Sequence, residues 1–350
     1  MQVSLRKYFG LKEALLLFFG IAILFVIMRD INFGKTWHAL GRVSLQMVAI
    51  FIFIKIGGYL LGNYRWKVFV DKVGKVSFIK LLPVYFTGMV LDNLIPGPGF
   101  GGEPIKAYYL GKIIKRGSSK CFATALMDSL VVSLSHIGFV AAAIAYFFLF
   151  INIPIIRVVL KVIIIAMIAG LTGLSYFYFR KGDHKFVDRV LRFIYHFKLF
   201  KALKQKFAKY AHFKKHVQNQ FFEFKEMMRM LWNDKPRFLY ATSISLLIVI
   251  TDFYATQLLL SGFGVELSFL KTMVVVTISG FIGYYAGIPG GTGVAEGSML
   301  LLFQVVGVVP EIAAAVTLIS RILFYAMTYG IGYLSLAYVN ITHMKGTSWI

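Results

Sequence analysis

The stretch "KTMVVVTISGFIGYYAGIPGGTGVAEGSMLLLFQVVG", Lys271–Gly307, decides how this chain is read. It is apolar on both sides of a short core, "IPGGTGVAE" at Ile288–Glu296. About 190 residues earlier the chain reads "IPGPGFGGE" at Ile95–Glu103, again in apolar surroundings. Both cores are Ile-Pro-Gly followed, after five residues, by a glutamate. Proline cannot donate a backbone hydrogen bond and stops a helix. Glycine admits left-handed backbone and close approach of a neighbour. Irregular backbone at membrane depth is tolerated only where protein buries it or where it lines a wet cavity. The residues that mark the two breaks are Pro96, Gly97, Pro98, Gly101 and Gly102 in the first, and Pro289, Gly290, Gly291 and Gly293 in the second.

The composition supplies the membrane. Of 350 residues 58% are hydrophobic and 16% aromatic, with a mean hydropathy of +0.74. A soluble domain of this size is far less apolar, and several runs approach the ~18–20 residues that cross a bilayer. The expected fold is all-α: a polytopic helical membrane protein with two discontinuous, re-entrant segments. We read 1–350 as a single integral membrane domain, with 180–237 as a basic amphipathic cytoplasmic helical insertion. The single Cys121 rules out an intramolecular disulfide or a cysteine-based metal cluster and reads as packing. The run Ala14–Met28 lacks a small-x-small cleavage site and reads as a first transmembrane helix over 11–28. Further helices are expected near 45–68, 120–150, 158–179, 238–262 and 311–339.

Loop charge sets the orientation. Arg180–Arg237 carries 16 Lys/Arg against 5 Asp/Glu, and Gly111–Lys120 carries four basic residues and no acid. Both belong in the cytoplasm, as does the basic 65–80 region. The first broken segment then enters and leaves on the cytoplasmic side. The second enters from outside, and both termini lie inside. Two discontinuous helices of opposite entry are the pattern of an inverted-repeat transport fold, with the breaks near the midplane. The net charge of +23 fits cytoplasmic loops and anionic headgroups rather than nucleic acid. In 180–237, apolar residues recur at three- and four-residue spacing among lysines, which suits an anionic membrane surface.

Ionisable residues in apolar segments are functional candidates because burying them is costly. They are Lys55, Arg65, Asp92, Glu103, Lys106, Asp128, Asp252, Glu296 and Arg321. Arg65, Lys106 and Asp252 lie near predicted helix ends, where a side chain can also snorkel to water. Glu103 and Glu296 can cap the N–H groups of a half-helix or partner a cation. Arg321, flanked by "LIS" and "ILFYAM", should face the bundle interior, paired with Glu296 or holding a lipid phosphate by its fork. The G-x-G-x-x-G in "GPGFGG" contains a proline and lacks a strand–helix unit, so no dinucleotide site is expected. No cofactor or metal is expected, and no nucleotide site for an ATP-driven pump is encoded.

The segment "PGGTGVAEG" (Pro289–Gly297) resembles the glycine-rich, glutamate-bearing signature of the lysylphosphatidylglycerol synthase transmembrane-region family. "PGPGFGGEPIKAYYL" is similar to that family's G-[DE]-x-x-[RK] region, which maps to Glu103 and Lys106. "YRW" at Tyr64–Trp66 and the late Arg321 also look like family positions. One departure stands out. The family carries a Glu-Arg pair in the helix after the first motif, where "ALMDSLVV" keeps an acid, Asp128, but has Ser129 and no arginine. The resemblance implies a flippase-like membrane protein without a fused synthase or glycosyltransferase domain. It would move or bind a lipid with an anionic or zwitterionic phosphate headgroup, a phospholipid or a polyprenyl-phosphate lipid. Arg65, Lys106 and Arg321 would meet phosphate, with Glu103, Asp128 and Glu296 beside them. The alternatives are an intramembrane headgroup transferase, with the carboxylates as acid and base, or a non-catalytic partner of a separate lipid-modifying enzyme.

Overall fold

In the computed structural model, residues 33–94, 101–150, 165 and 210–344 are described. The expected first helix at 11–28, most of the helix at 158–179, the break residues Pro96, Gly97 and Pro98, and the 180–209 part of the basic region lie outside them. The described residues are helical, with no strand among them. They run α1 (Phe33–Arg42), α2 (Leu45–Val70), α3 (Phe78–Leu94), α4 (Gly102–Ile114) and α5 (Ser118–Phe150). After these come α6 (Tyr210–Asn233), α7 (Lys235–Ser261), α8 (Phe269–Tyr285), a 3₁₀ turn (Pro289–Gly291) and α9 (Val294–Val305). The last described elements are α10 (Pro310–Tyr325), a π turn (Ala326–Ile331) and α11 (Gly332–Met344). The chain divides into two compact units, one of 1–143 with 227–350 and one of 144–226. The elements that carry the candidate site belong to the first.

Among the described residues, four helical stretches are long and apolar enough to cross a membrane: α2, α5, α7 and the composite Pro310–Thr342. The last was expected as one plain helix. It instead passes through a π turn between Tyr325 and Gly332, a local widening of the ladder that recurs at functional sites. Helices α2 and α7 pack along their length as an antiparallel pair. Lys55 pairs with Asp252, Gly58 faces Ile248, and Tyr64 meets Tyr240.

The broken segments give helices too short to span. Helices α3 and α8 have 17 residues each, α4 has 13 and α9 has 12. At 1.5 Å per residue these are about 18–26 Å long, against a hydrocarbon core of about 30 Å. Helix α4 packs side by side with α3, and α9 with α8. Each broken segment is therefore a helical hairpin, not one helix with a kink. Glycines make the close approaches. A Cβ on Gly102 would lie 2.3 Å from the Gly88 carbonyl oxygen, and one on Gly283 would lie 2.5 Å from Ala295 Cβ.

An apolar cluster joins α2, α3, α4, α5 and α11. Trp66, Leu81, Val84, Leu110, Cys121 and Val339 are buried in it. The Trp66 indole N–H donates to Thr124 Oγ1 at 3.3 Å, which satisfies the polar edge of an otherwise apolar side chain. Helix α6 carries its polar residues on one face; Phe221 and Phe222 are exposed on it.

Asp234, between α6 and α7, pairs with Lys72 at 2.7 Å and Arg237 at 3.4 Å. The hydrogen bond from Lys72 holds its carboxyl below the usual carboxylate range. Because the folded pKa is the lower one, the stabilisation is present above the ordinary Asp pKa and fades as pH falls through the lowered value. A surface pair contributes little, roughly 0–1 kcal/mol. Asp234→Asn should lower the melting temperature slightly at neutral pH, and the gap to wild type should close in acid.

Candidate functional site

The first hairpin collects its charges around the start of α4. The Gly102 backbone N–H donates to Asp92 Oδ1 at 2.6 Å, tying the first turn of α4 to the end of α3. One residue on, Glu103 is 3% exposed. Its Oε1 accepts from the Ser129 hydroxyl of α5 at 2.5 Å, while its Oε2 has no partner among the described residues. Lys106, one turn further, is 5% exposed. Its ammonium lies over the rings of Tyr85 and Trp66, at 5.2 and 5.9 Å from their centroids. Its ion pair with Asp92 Oδ2 is loose, at 3.8 Å. Gly88 gives the lysine its room, since a Cβ there would fall 2.3 Å from the Lys106 Cε.

Arg65 and Asp128 form a buried fork between α2 and α5. Nε donates to Oδ1 at 2.7 Å and Nη2 to Oδ2 at 3.2 Å. Nη1 reaches Ser245 of α7 at 3.4 Å. The missing arginine of α5 therefore costs no ion pair: the cation for Asp128 arrives from α2, and Ser129 binds Glu103 instead. Nor do Arg65 and Lys106 snorkel, for both are buried and held by protein groups.

The second hairpin is tighter. Gly290, Gly291 and Gly293 have φ of 64°, 65° and 85°, a region that L side chains rarely enter. They turn the chain so that α9 starts against α8, with Glu296 at its third residue. Glu296 Oε2 accepts from the Gly293 N–H at 2.7 Å and so caps the helix that carries it. Its Oε1 accepts from Arg321 Nε at 2.6 Å and from the Tyr325 hydroxyl at 2.5 Å. Arg321 also donates through Nη2 to the Gly290 carbonyl at 3.1 Å, binding α10 to the break itself. The expected Arg321–Glu296 pair is present.

The two hairpins meet. Helix α3 packs against the Pro289–Gly291 turn and against the π turn. Tyr284, near the end of α8, lies within electrostatic reach of Asp92 and Glu103. Tyr59 of α2 lies within reach of both Tyr85 and Arg321. The geometry thus brings together Arg65, Glu103, Lys106 and Asp128 around one hairpin, and Glu296 and Arg321 around the other, in adjoining regions of one unit. Sequence reading missed Tyr325, Ser129, Tyr85 and Tyr284. Tyr325 had a usable signal: it sits four residues after Arg321, on the same helix face. The others gave none, because their partners lie on distant elements.

This fold and these paired intramembrane charges define an all-α polytopic membrane protein built around two helical hairpins. Residues 14–332 match the family model described as the lysylphosphatidylglycerol synthase TM region, and the chain belongs to that family. It is also similar to a UPF0104 membrane protein of Methanothermobacter thermautotrophicus, 25% identical over 93% of this chain and 95% of the relative. A UPF0104 membrane protein of Pyrococcus horikoshii is 26% identical over 90% and 93%. One of Methanocaldococcus jannaschii is 24% identical over 94% and 95%.

Proposed function

We propose that this protein binds and translocates a membrane lipid through an anionic or zwitterionic phosphate headgroup. The observation that carries the reading is the pair of cations at the adjoining hairpins. Among the described residues, Lys106 is buried with only a loose ion pair. Arg321 is part-buried and binds Glu296 and Gly290 through Nε and Nη2, leaving guanidinium donor capacity for a further acceptor. A phosphate between them would meet a point charge on one side and a fork on the other. The acyl tails would stay in the bilayer while the headgroup crosses along the protein. Helices α4 and α9 also begin at the breaks, so their positive dipole ends favour an anion there. On the same reading the hairpins enter from opposite faces of the cell membrane, with both termini and the 180–237 region cytoplasmic. That basic region would rest on anionic lipid.

The test is headgroup-labelled lipid movement in proteoliposomes. Wild type should exceed empty liposomes. Lys106→Ala and Arg321→Lys should each slow transfer by at least about tenfold, the equivalent of ~1.4 kcal/mol in the barrier. Arg321→Lys keeps the charge beside Glu296 but removes the fork. Wild-type rates equal to empty liposomes across several headgroups would rule out translocation. A covalently altered lipid would instead identify a headgroup transferase.

A further inference from the structure

The two hairpin glutamates occupy matching positions in sequence but are held differently. Both oxygens of Glu296 accept from donors: the Gly293 N–H, the Arg321 guanidinium and the Tyr325 hydroxyl. A proton arriving there would remove the charge that strengthens all three bonds. Glu103 has one donor, Ser129, and its buried Oε2 has none among the described residues. What lies beside it is another carboxyl. Asp92 is within hydrogen-bonding range of Glu103, and Asp92 Oδ1 already takes the Gly102 N–H. Glu103 is buried, while the Asp92 side chain is 29% exposed. Two ionised carboxyls held side by side there repel, and a proton or a cation between them relieves the repulsion.

The charge count agrees. The groups that face this pair are Lys106 and Tyr85, with Asp128 and Arg65 behind them and Tyr284 from α8. Asp128 is already neutralised by Arg65. Among these described groups, Asp92 and Glu103 are left facing the single positive charge of Lys106, an excess of one negative charge. One proton restores neutrality, which the burial of Glu103 and Lys106 favours.

We propose that Asp92 and Glu103 together form a proton-binding site, sharing one exchangeable proton. Glu296, by contrast, is a fixed structural latch. The coupling of this site to lipid movement rests on the translocase reading; the site itself does not. When the anionic headgroup approaches Lys106, the ammonium leaves Asp92, and the pair takes a second proton to keep the region neutral. Proton uptake then accompanies the headgroup, and a pH gradient drives its transfer.

The experiment has two arms. Infrared difference spectra of purified wild-type protein, titrated across the neutral range, should show a protonated-carboxyl band that appears with acid. Glu103→Gln and Asp92→Asn should each remove it, and Glu296→Gln should leave it. In proteoliposomes containing anionic lipid, wild type should take up protons during lipid movement, and Glu103→Gln should move none above empty liposomes. A wild-type spectrum without that band overturns the site and needs no folded variant. A band that survives in both Glu103→Gln and Asp92→Asn also overturns it, as does a requirement for sodium in place of protons. An intact, Glu103-dependent band in protein that moves no lipid would keep the proton site and sink the translocase reading.

Discussion

Arg65→Ala should destabilise the protein by about 3–5 kcal/mol, the cost of leaving Asp128 charged and buried without its partner. Arg65 is 6% exposed and Asp128 2%, so water cannot replace the two-bond fork between them. The loss of the Ser245 contact adds to it, because Arg65 ties α2 to α7 as well as to α5. Thermal unfolding in detergent should show the fall. The double variant Arg65→Met with Asp128→Leu should recover most of the stability, since matched apolar groups avoid the desolvation cost. If the single variant is as stable as wild type, the fork is not a structural tie. If the double variant is stable but moves no lipid, the pair also serves the headgroup path.

Gly291→Ala should cost about 2–5 kcal/mol and separate the second hairpin. Two effects add. The φ of 65° costs an L residue roughly 1–2 kcal/mol. The new Cβ would also lie 2.7 Å from the Gly283 carbonyl oxygen and 3.0 Å from Gly283 Cα. Those are backbone atoms of α8, so no rotamer relieves the collision, and overpacking costs a further ~1–3 kcal/mol. Gly102→Ala should damage the first hairpin by the same collision, against Gly88 and Asp92. Gly138→Ala is the control. It is helical with nothing within 4 Å of its Cβ, so it should be neutral or stabilising by up to about 1 kcal/mol. Equal melting temperatures for Gly291→Ala and Gly138→Ala would show that the hairpin does not depend on this approach.

Much of the architecture was legible because its signals are local. Apolar runs report spans, and Pro-Gly clusters report where a helix must stop. The Glu296–Arg321 pair was open to inference because few intramembrane charges exist and each needs a partner. Asp128 shows where such inference ends. Its own helix has no arginine, and the residue that answers it lies 63 positions away on α2. Ser129, which looked like a lost arginine, is a hydrogen-bond donor to Glu103. Neither pairing has a periodicity or a motif.

By itself the sequence determined a helical membrane protein with two broken segments, each carrying a glutamate just past a Pro-Gly turn. Hydrophobic length and backbone chemistry suffice for that, since both act within a few residues. Only the tertiary structure decided which side chains each hairpin gathers from the other helices. It also decided that the matching glutamates are unequal, Glu296 held on both oxygens and Glu103 on one. The reason is physical. A buried carboxylate is defined by the donors that surround it, and those donors come from helices the chain reaches only after it has folded.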